Sequence, residues 1–268
     1  MKTANLKSLT KIGIAIAITA LCAIAILGSC APKEIDTSDK ASIEEAVGVA
    51  QSIPIEFNKK YAAAAPTEKG ASENMTITVA GLKGGIAETY IDEGKLSASE
   101  FLVSYLNELK DKTIHFRIAA IKCGEKSNVI PNSFTLTLNI NKKHEEEAKQ
   151  AFGSLCEKLK SEHPSDAAFT SQINIEAASG TFPSQQDAEK IQDILSALPN
   201  GVVKMNKTYK NIIETIGNIA YIELTEGRLN VSAFLRSTDK NELKNQANEI
   251  SDKLKSFKID WEAPDNIG

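Results

Sequence analysis

The stretch GLKGGIAETYIDEG (81–94) places three glycines around one lysine directly after an alternating run, MTITVA (75–80). Glycines so grouped mark a turn in which backbone comes close to something else. Asp92 and Glu93 near its end are of the type for an acid and base pair, although adjacent acids in a turn are also a common solvated feature. The three histidines are scattered. His115 lies on the polar face of a strand pattern, either exposed or paired with a neighbour. His144 opens HEEE (144–147) at a helix start, where acids are favoured by the helix dipole, and so reads as solvated surface. His163 precedes a proline in a loop. Metal-assisted hydrolysis needs ligands gathered at suitable spacing with one position open. No H-E-x-x-H, G-x-S-x-G or P-loop pattern occurs, so the residues by themselves carry no catalytic constellation and ask for no cofactor or metal.

The elements that position these groups follow from periodicity. MTITVA alternates as a half-buried strand should, and a helix is expected from about Leu96 to Leu109, with Ser97 as its cap. TIHFRIAAI (113–121) and NSFTLTLNI (132–140) alternate again around a turn at KCGEKSNVIP. A helix from about Lys142 to Leu159 and a strand near SQINIEA (171–177) complete the order β-α-β-β-α-β, a ferredoxin-like unit. The second half repeats the theme: a helix from Ser184 to Leu198, LPNGVVKM turning into a strand, a hairpin around Glu226 and Gly227, and a helix from Asp239 to Phe257. The expected fold class is α+β, with two ferredoxin-like units (about 53–180 and 181–268) whose antiparallel sheets each bury one face under helices.

Composition bounds the partners. The 268 residues are 42% apolar and 25% charged, with a net charge of −4, which fits a folded chain and offers no basic stripe for nucleic acid. The beginning is different material. Lys2, Lys7 and Lys11 precede the apolar run IGIAIAITALCAIAIL (12–27), which ends in LGSC (27–30), the layout of a secretory signal. LGSC resembles the bacterial lipobox, and implies a signal over 1–29 and a lipidated Cys30. An uncleaved anchor helix, or an ordinary signal with an incidental cysteine, is the alternative. Stable anchoring takes more than one acyl chain, as a lipidated cysteine would supply. Residues 30–52 then read as a tether with a short helix, ASIEEAVGVAQ (41–51). Of the remaining cysteines, Cys123 and Cys156 either pair in an oxidising compartment or are two separate small buried residues.

Four segments carry a family likeness: MTITVAGLKGGIAETYIDEGKLSASEFLVSYLNEL (75–109), GEKSNVIPNSFTLTLNI (124–140), LSALPNGVVKMNKTYKNIIETIGNIAYIELTEGRLNVSAFLRS (195–237) and WEAP (261–264). In this order they resemble the lid, or dimerisation, domain of the di-zinc aminoacyl-histidine dipeptidases, also known as Xaa-His or cytosol non-specific dipeptidases. PIEF (54–57) matches the strand entering that lid, so the likeness covers residues 53–268. The most specific part is LPNGV with the following ETIGN. In that family the lid is inserted into a catalytic domain that supplies the zinc ligands and the general base. Neither half of that domain is recognisable here, and the resemblance therefore implies a lid without chemistry of its own.

The same resemblance implies site roles. The family stretch Gly-Leu-Lys-Gly-Gly-His-Ser-Gly puts an oxyanion-assisting histidine at the position of Ile86, and isoleucine offers no donor. Asn128 matches a substrate-reaching asparagine and Arg236 an arginine suited to a peptide carboxylate. A turn asparagine satisfying its own backbone and a surface arginine are the alternative readings. The expectation is a non-catalytic, exported module, lipid-anchored at the bacterial cell envelope, that binds a second copy or an envelope partner. The alternatives are a lid that complements a separate zinc dipeptidase chain, a remnant of such a dipeptidase, or a peptide-binding lipoprotein. Cys30→Ser is expected to abolish fatty-acid labelling and release the protein from the membrane fraction; a labelled, membrane-bound variant contradicts lipidation.

Overall fold

Strands whose side chains alternate apolar and polar bury one face only, and most of the long strands here follow that rule. The computed structural model describes Lys33 and residues 40–65, 70–86, 95–125 and 129–264. Their elements run in the order α1 (Lys40–Val47), β1 (Gln51–Lys60), β2 (Ala63–Ala64), β3 (Ser72–Ala80), β4 (Gly85–Ile86), α2 (Ala98–Asp111), β5 (Phe116–Cys123), β6 (Val129–Ile130) and β7 (Phe134–Asn141). The chain continues with α3 (Glu145–Glu162), β8 (Thr170–Ala177), β9 (Phe182–Pro183), α4 (Gln185–Ala197), β10 (Gly201–Met205), β11 (Ile213–Thr225), β12 (Arg228–Ser237) and α5 (Lys240–Ser256). Short 3₁₀ turns at Lys142–His144 and Pro164–Asp166 flank α3.

The strand order is β1-β12-β11-β5-β7-β3-β8, with β10 also on β11, and all pairings are antiparallel. Within it β5-β7-β3-β8 with α2 and α3 is the expected ferredoxin-like unit. The fold class is thus α+β as anticipated, but the two units share one continuous sheet instead of building two. Ile222, Glu223 and Leu224 of β11 pair with Cys123, Lys122 and Ile121 of β5 to make the join. The far edge comes from the start of the chain, where β1 pairs along its full length with β12.

Several local signals are realised. Ser184 Oγ accepts the Asp187 N–H at 3.1 Å, and Asp239 Oδ1 accepts the Asn241 and Glu242 N–H groups at 2.8 and 3.2 Å, so both helices begin where their capping residues predict. Glu226 (φ 50°) and Gly227 (φ 73°) form the left-handed pair that a two-residue hairpin requires. Ser97 occupies the cap position of α2, but its hydroxyl pairs with Ser99 Oγ at 2.8 Å, and the Ala98 N–H donates instead to the Pro131 carbonyl at 2.9 Å. The first helix is shorter than expected. It stops at Val47 because Gly48 turns to φ 86°, and Gln51 is already strand.

The core lies between one sheet face and α2 to α5. Met75, Ile77, Leu136, Leu138, Ile118, Ile222, Val231 and Ile55 point into it. At its centre the Phe101 ring stacks on Phe152 (5.6 Å) and meets Phe134 and Phe169 edge-on (5.5 and 5.3 Å). Phe152 in turn meets Tyr105, whose hydroxyl donates to the Ala148 carbonyl at 3.1 Å. The opposite face is polar, with Thr76 and Thr137 hydrogen-bonded across strands at 3.0 Å. Cys123 and Cys156 are separate buried thiols. Phe101→Ala is expected to cost about 3–5 kcal/mol in urea unfolding, because a cavity among three aromatic rings cannot collapse easily; a loss below about 1 kcal/mol contradicts this core assignment.

Candidate functional site

The glycine-rich turn meets another stretch of the chain's own backbone. Gly81 (φ 87°) leaves β3, and the buried Leu82 donates its N–H to the Asn132 carbonyl at 3.3 Å. Gly84 (φ 57°) packs so tightly that a Cβ would lie 2.8 Å from the Ile130 carbonyl oxygen and 3.0 Å from Asn132 Cβ. Gly85 (φ 138°) and Ile86 then pair as β4 with Ile130 and Val129 of β6. Asp166, buried in the 3₁₀ turn after α3, holds both ends of the excursion. Its Oδ1 accepts the Lys83 N–H at 2.7 Å and its Oδ2 the Leu96 N–H at 3.0 Å. Nothing in the sequence pattern marks Asp166 for this role, since its two donors lie about 70 and 83 residues away.

The segment 129–132 is fixed from the sheet. Asn218 of β11 is buried on the open face and donates from Nδ2 to the Val129 carbonyl at 3.2 Å. The β4–β6 pair therefore sits over that face at β11. Beside it, Pro199 presses on Gly217, where a Cβ would come within 2.5 Å of the proline Cβ and carbonyl oxygen. Asn200 Oδ1 accepts the Ile219 N–H at 3.2 Å, while its Nδ2 donates to Ser99 Oγ at 3.2 Å. LPNGV and ETIGN, distant in sequence, are thus two halves of one latch between α2, β10 and β11. The bulge between Ile219 and Tyr221 adds a last constraint: Gly124 (φ 73°) is the site where a Cβ would overlap the Ala220 carbonyl oxygen at 2.0 Å.

The sequence-predicted site residues are placed as follows. Ile86 lies at this corner by its backbone pairing with Val129. Arg236 is half-buried on β12, opposite Ile216 and Ser52, two residues along the same strand face from Phe234, which pairs with Asn218. Cys30, Asp92, Glu93 and Asn128 lie outside the described residues. His163 is the residue that ends α3. His115 and His144 come together at a different place, the end of the sheet where β5 begins and β7 ends. Among the described residues no group of three or more His, Cys, Asp and Glu side chains is arranged to hold a metal. Burial pushes the Cys123 thiol up, and does the same for Cys156 against smaller lowering effects of Ser171 and Lys160, so neither is an activated nucleophile.

The comparisons agree with the segment likeness. Residues 41–167 match the peptidase dimerisation domain of the M20 family. The cytosol non-specific dipeptidase of Escherichia coli (strain K12) is 23% identical over 166 residues, which are 62% of this chain and 34% of that enzyme. The crystal structure of aminoacylhistidine dipeptidase from Vibrio alginolyticus is similar at a TM-score of 0.70 and 19% identity, covering 79% of this chain and 43% of the other. The chain thus spans less than half the length of either relative. Gly217→Ala is expected to destabilise the fold by about 1–3 kcal/mol, since the proline backbone at 2.5 Å cannot yield as a flexible side chain would; an unchanged urea midpoint contradicts the latch.

Proposed function

We propose that this chain, which carries an M20 peptidase dimerisation domain over residues 41–167, is an association module without catalysis of its own. It is held at the surface of the bacterial envelope through lipidated Cys30, and pairs with a second copy through the open edge of β8. The single observation that carries the pairing is the contrast between the two end strands of the main strand order, β1 and β8. Edge strands present unpaired N–H and C=O groups, and proteins blunt them with proline and lysine. β1 has Pro54, Lys59 and Lys60. β8 reads TSQINIEA, without proline or lysine, and among the described residues it pairs on one side only, with β3.

The neighbouring helix supports the same surface. Cys156 Sγ of α3 lies 4.0 Å from Ser171 Oγ of β8, and Lys160 lies over the Phe169 ring at 5.3 Å, so this flank of α3 adjoins the strand. One turn before Cys156 stands Gly153, exposed and with nothing within 4 Å of a Cβ. Glycine in an exposed helix interior costs about 0.8–1 kcal/mol relative to alanine, a cost that close approach by a partner would explain. A strand pairing with its own copy about a two-fold axis runs antiparallel, as every pair in this sheet already does.

The non-catalytic reading is supported by Ile86, which stands where the dipeptidase lids carry their histidine and has no group to donate. Arg236, half-buried on β12 opposite Ile216 and Ser52, supports the second reading, a lid that contacts a peptide carboxylate, alone or beside a separate zinc dipeptidase chain. The full-length protein should sediment as a dimer. Gly153→Arg should give a monomer that is no less stable. Of Ser171→Pro and Gln172→Pro, the one losing an outward N–H should dissociate the dimer with little loss in melting temperature, while the other disturbs the β3 ladder. A monomeric wild type, or a Gly153→Arg dimer, contradicts the pairing. Dipeptide hydrolysis by the purified chain with added zinc contradicts the non-catalytic reading.

A further inference from the structure

At the end of the sheet where β5 starts and β7 ends, a cavity of about 230 Å³ opens among Ser72, His115, Arg117, Asn139, Lys143 and His144, with Gln185 at its rim. Among the described residues no carboxylate lines it. The nearby acids are already engaged: Glu73 pairs with Lys142 at 3.3 Å, Glu147 with Nδ1 of His144 on the cavity wall at 3.5 Å, and Glu189 accepts from Gln185 Nε2 at the rim at 3.1 Å. That last bond fixes the Gln185 nitrogen as a donor. Its 2.8 Å contact to His115 Nδ1 therefore makes Nδ1 an acceptor and leaves the imidazole proton on Nε2. The half-buried Arg117 guanidinium and the Lys143 ammonium have no hydrogen-bond or ion-pair partner among the described residues. Lys143 is nevertheless positioned, because its N–H donates to Asn141 Oδ1 at 3.0 Å.

We infer that this cavity is a binding site for a phosphate-type oxyanion, gripped by Arg117 and Lys143 with His115 as a further donor. Like charges gathered without counter-ions repel each other, and an unpaired, half-buried guanidinium gives up solvation for no internal partner. A multi-oxygen anion relieves both, and the planar guanidinium fork suits phosphate oxygens. The volume is below the roughly 300–1,000 Å³ of sites for drug-sized ligands, so the site takes a small free anion or the phosphate of a larger molecule such as a lipid headgroup. It is separate from the β4–β6 corner and from the β8 edge, and does not depend on the pairing proposed there.

The test is calorimetric titration of the full-length protein with inorganic phosphate at fixed ionic strength, together with sedimentation against phosphatidylglycerol and phosphatidylcholine vesicles. Saturable phosphate binding is expected, weakened roughly tenfold or more in Arg117→Gln and Lys143→Gln and unchanged in Arg228→Gln, a cation of the β12 turn. Phosphate should also raise the melting temperature of the wild type but not of Arg117→Gln. Selective binding to phosphatidylglycerol vesicles that Arg117→Gln removes supports the same site with a headgroup as its source. Absence of both phosphate and selective vesicle binding, or binding that survives Arg117→Gln, overturns the inference.

Discussion

The pairing of β11 with β5 holds the two halves of the molecule in one sheet, and most other features are arranged to permit it. β11 has 13 residues and serves two neighbours on one edge, β10 along its first half and β5 along its second. Between them the chain bulges after Ile219, which adds twist while the ladder to β12 continues. The bulge aims the Ala220 carbonyl at the one position, Gly124, where a missing Cβ leaves room. With the join made, α2 packs across both β7 and β11, and residues from both halves enter one core. Without it, β5 and β11 would each add a bare edge and the core would be cut in two.

The corner built by the glycine-rich turn depends on the same strand. Asn218 and Gly217 of β11 fix the 129–132 segment and Pro199, and the turn is laid over that segment. Its glycines serve close backbone packing in this chain.

What was legible in the sequence was local. Periodicity marked the long strands and helices, and Ser184, Asp239 and the Glu226–Gly227 pair marked their ends because capping and turn chemistry act within a few residues. Three things were not legible. β1 carries a proline and pairs with a strand some 180 residues later, so neither propensity nor proximity pointed to its place beside β12. The β5–β11 join rests on three residue pairs whose register no alternation can specify. Asp166 resembles any loop acid until its two backbone donors are seen. Of the candidate site residues, Ile86 lies on β4 and Arg236 on β12, while His115 and His144, read singly as surface groups, are set by the fold beside Arg117 and Lys143.

Among the described residues the strand order thus ends in β1, guarded by proline and lysine, and in β8, which pairs on one side only, and in the reading proposed here β8 is the strand that needs an occupant. Hydrogen–deuterium exchange of the full-length protein across a wide dilution series tests this directly. Amides of Thr170–Ala177 should be protected at high concentration and exchange faster on dilution, while those of Gln51–Lys60 keep a constant rate. Exchange in β8 that is fast and independent of concentration would contradict self-association through this edge.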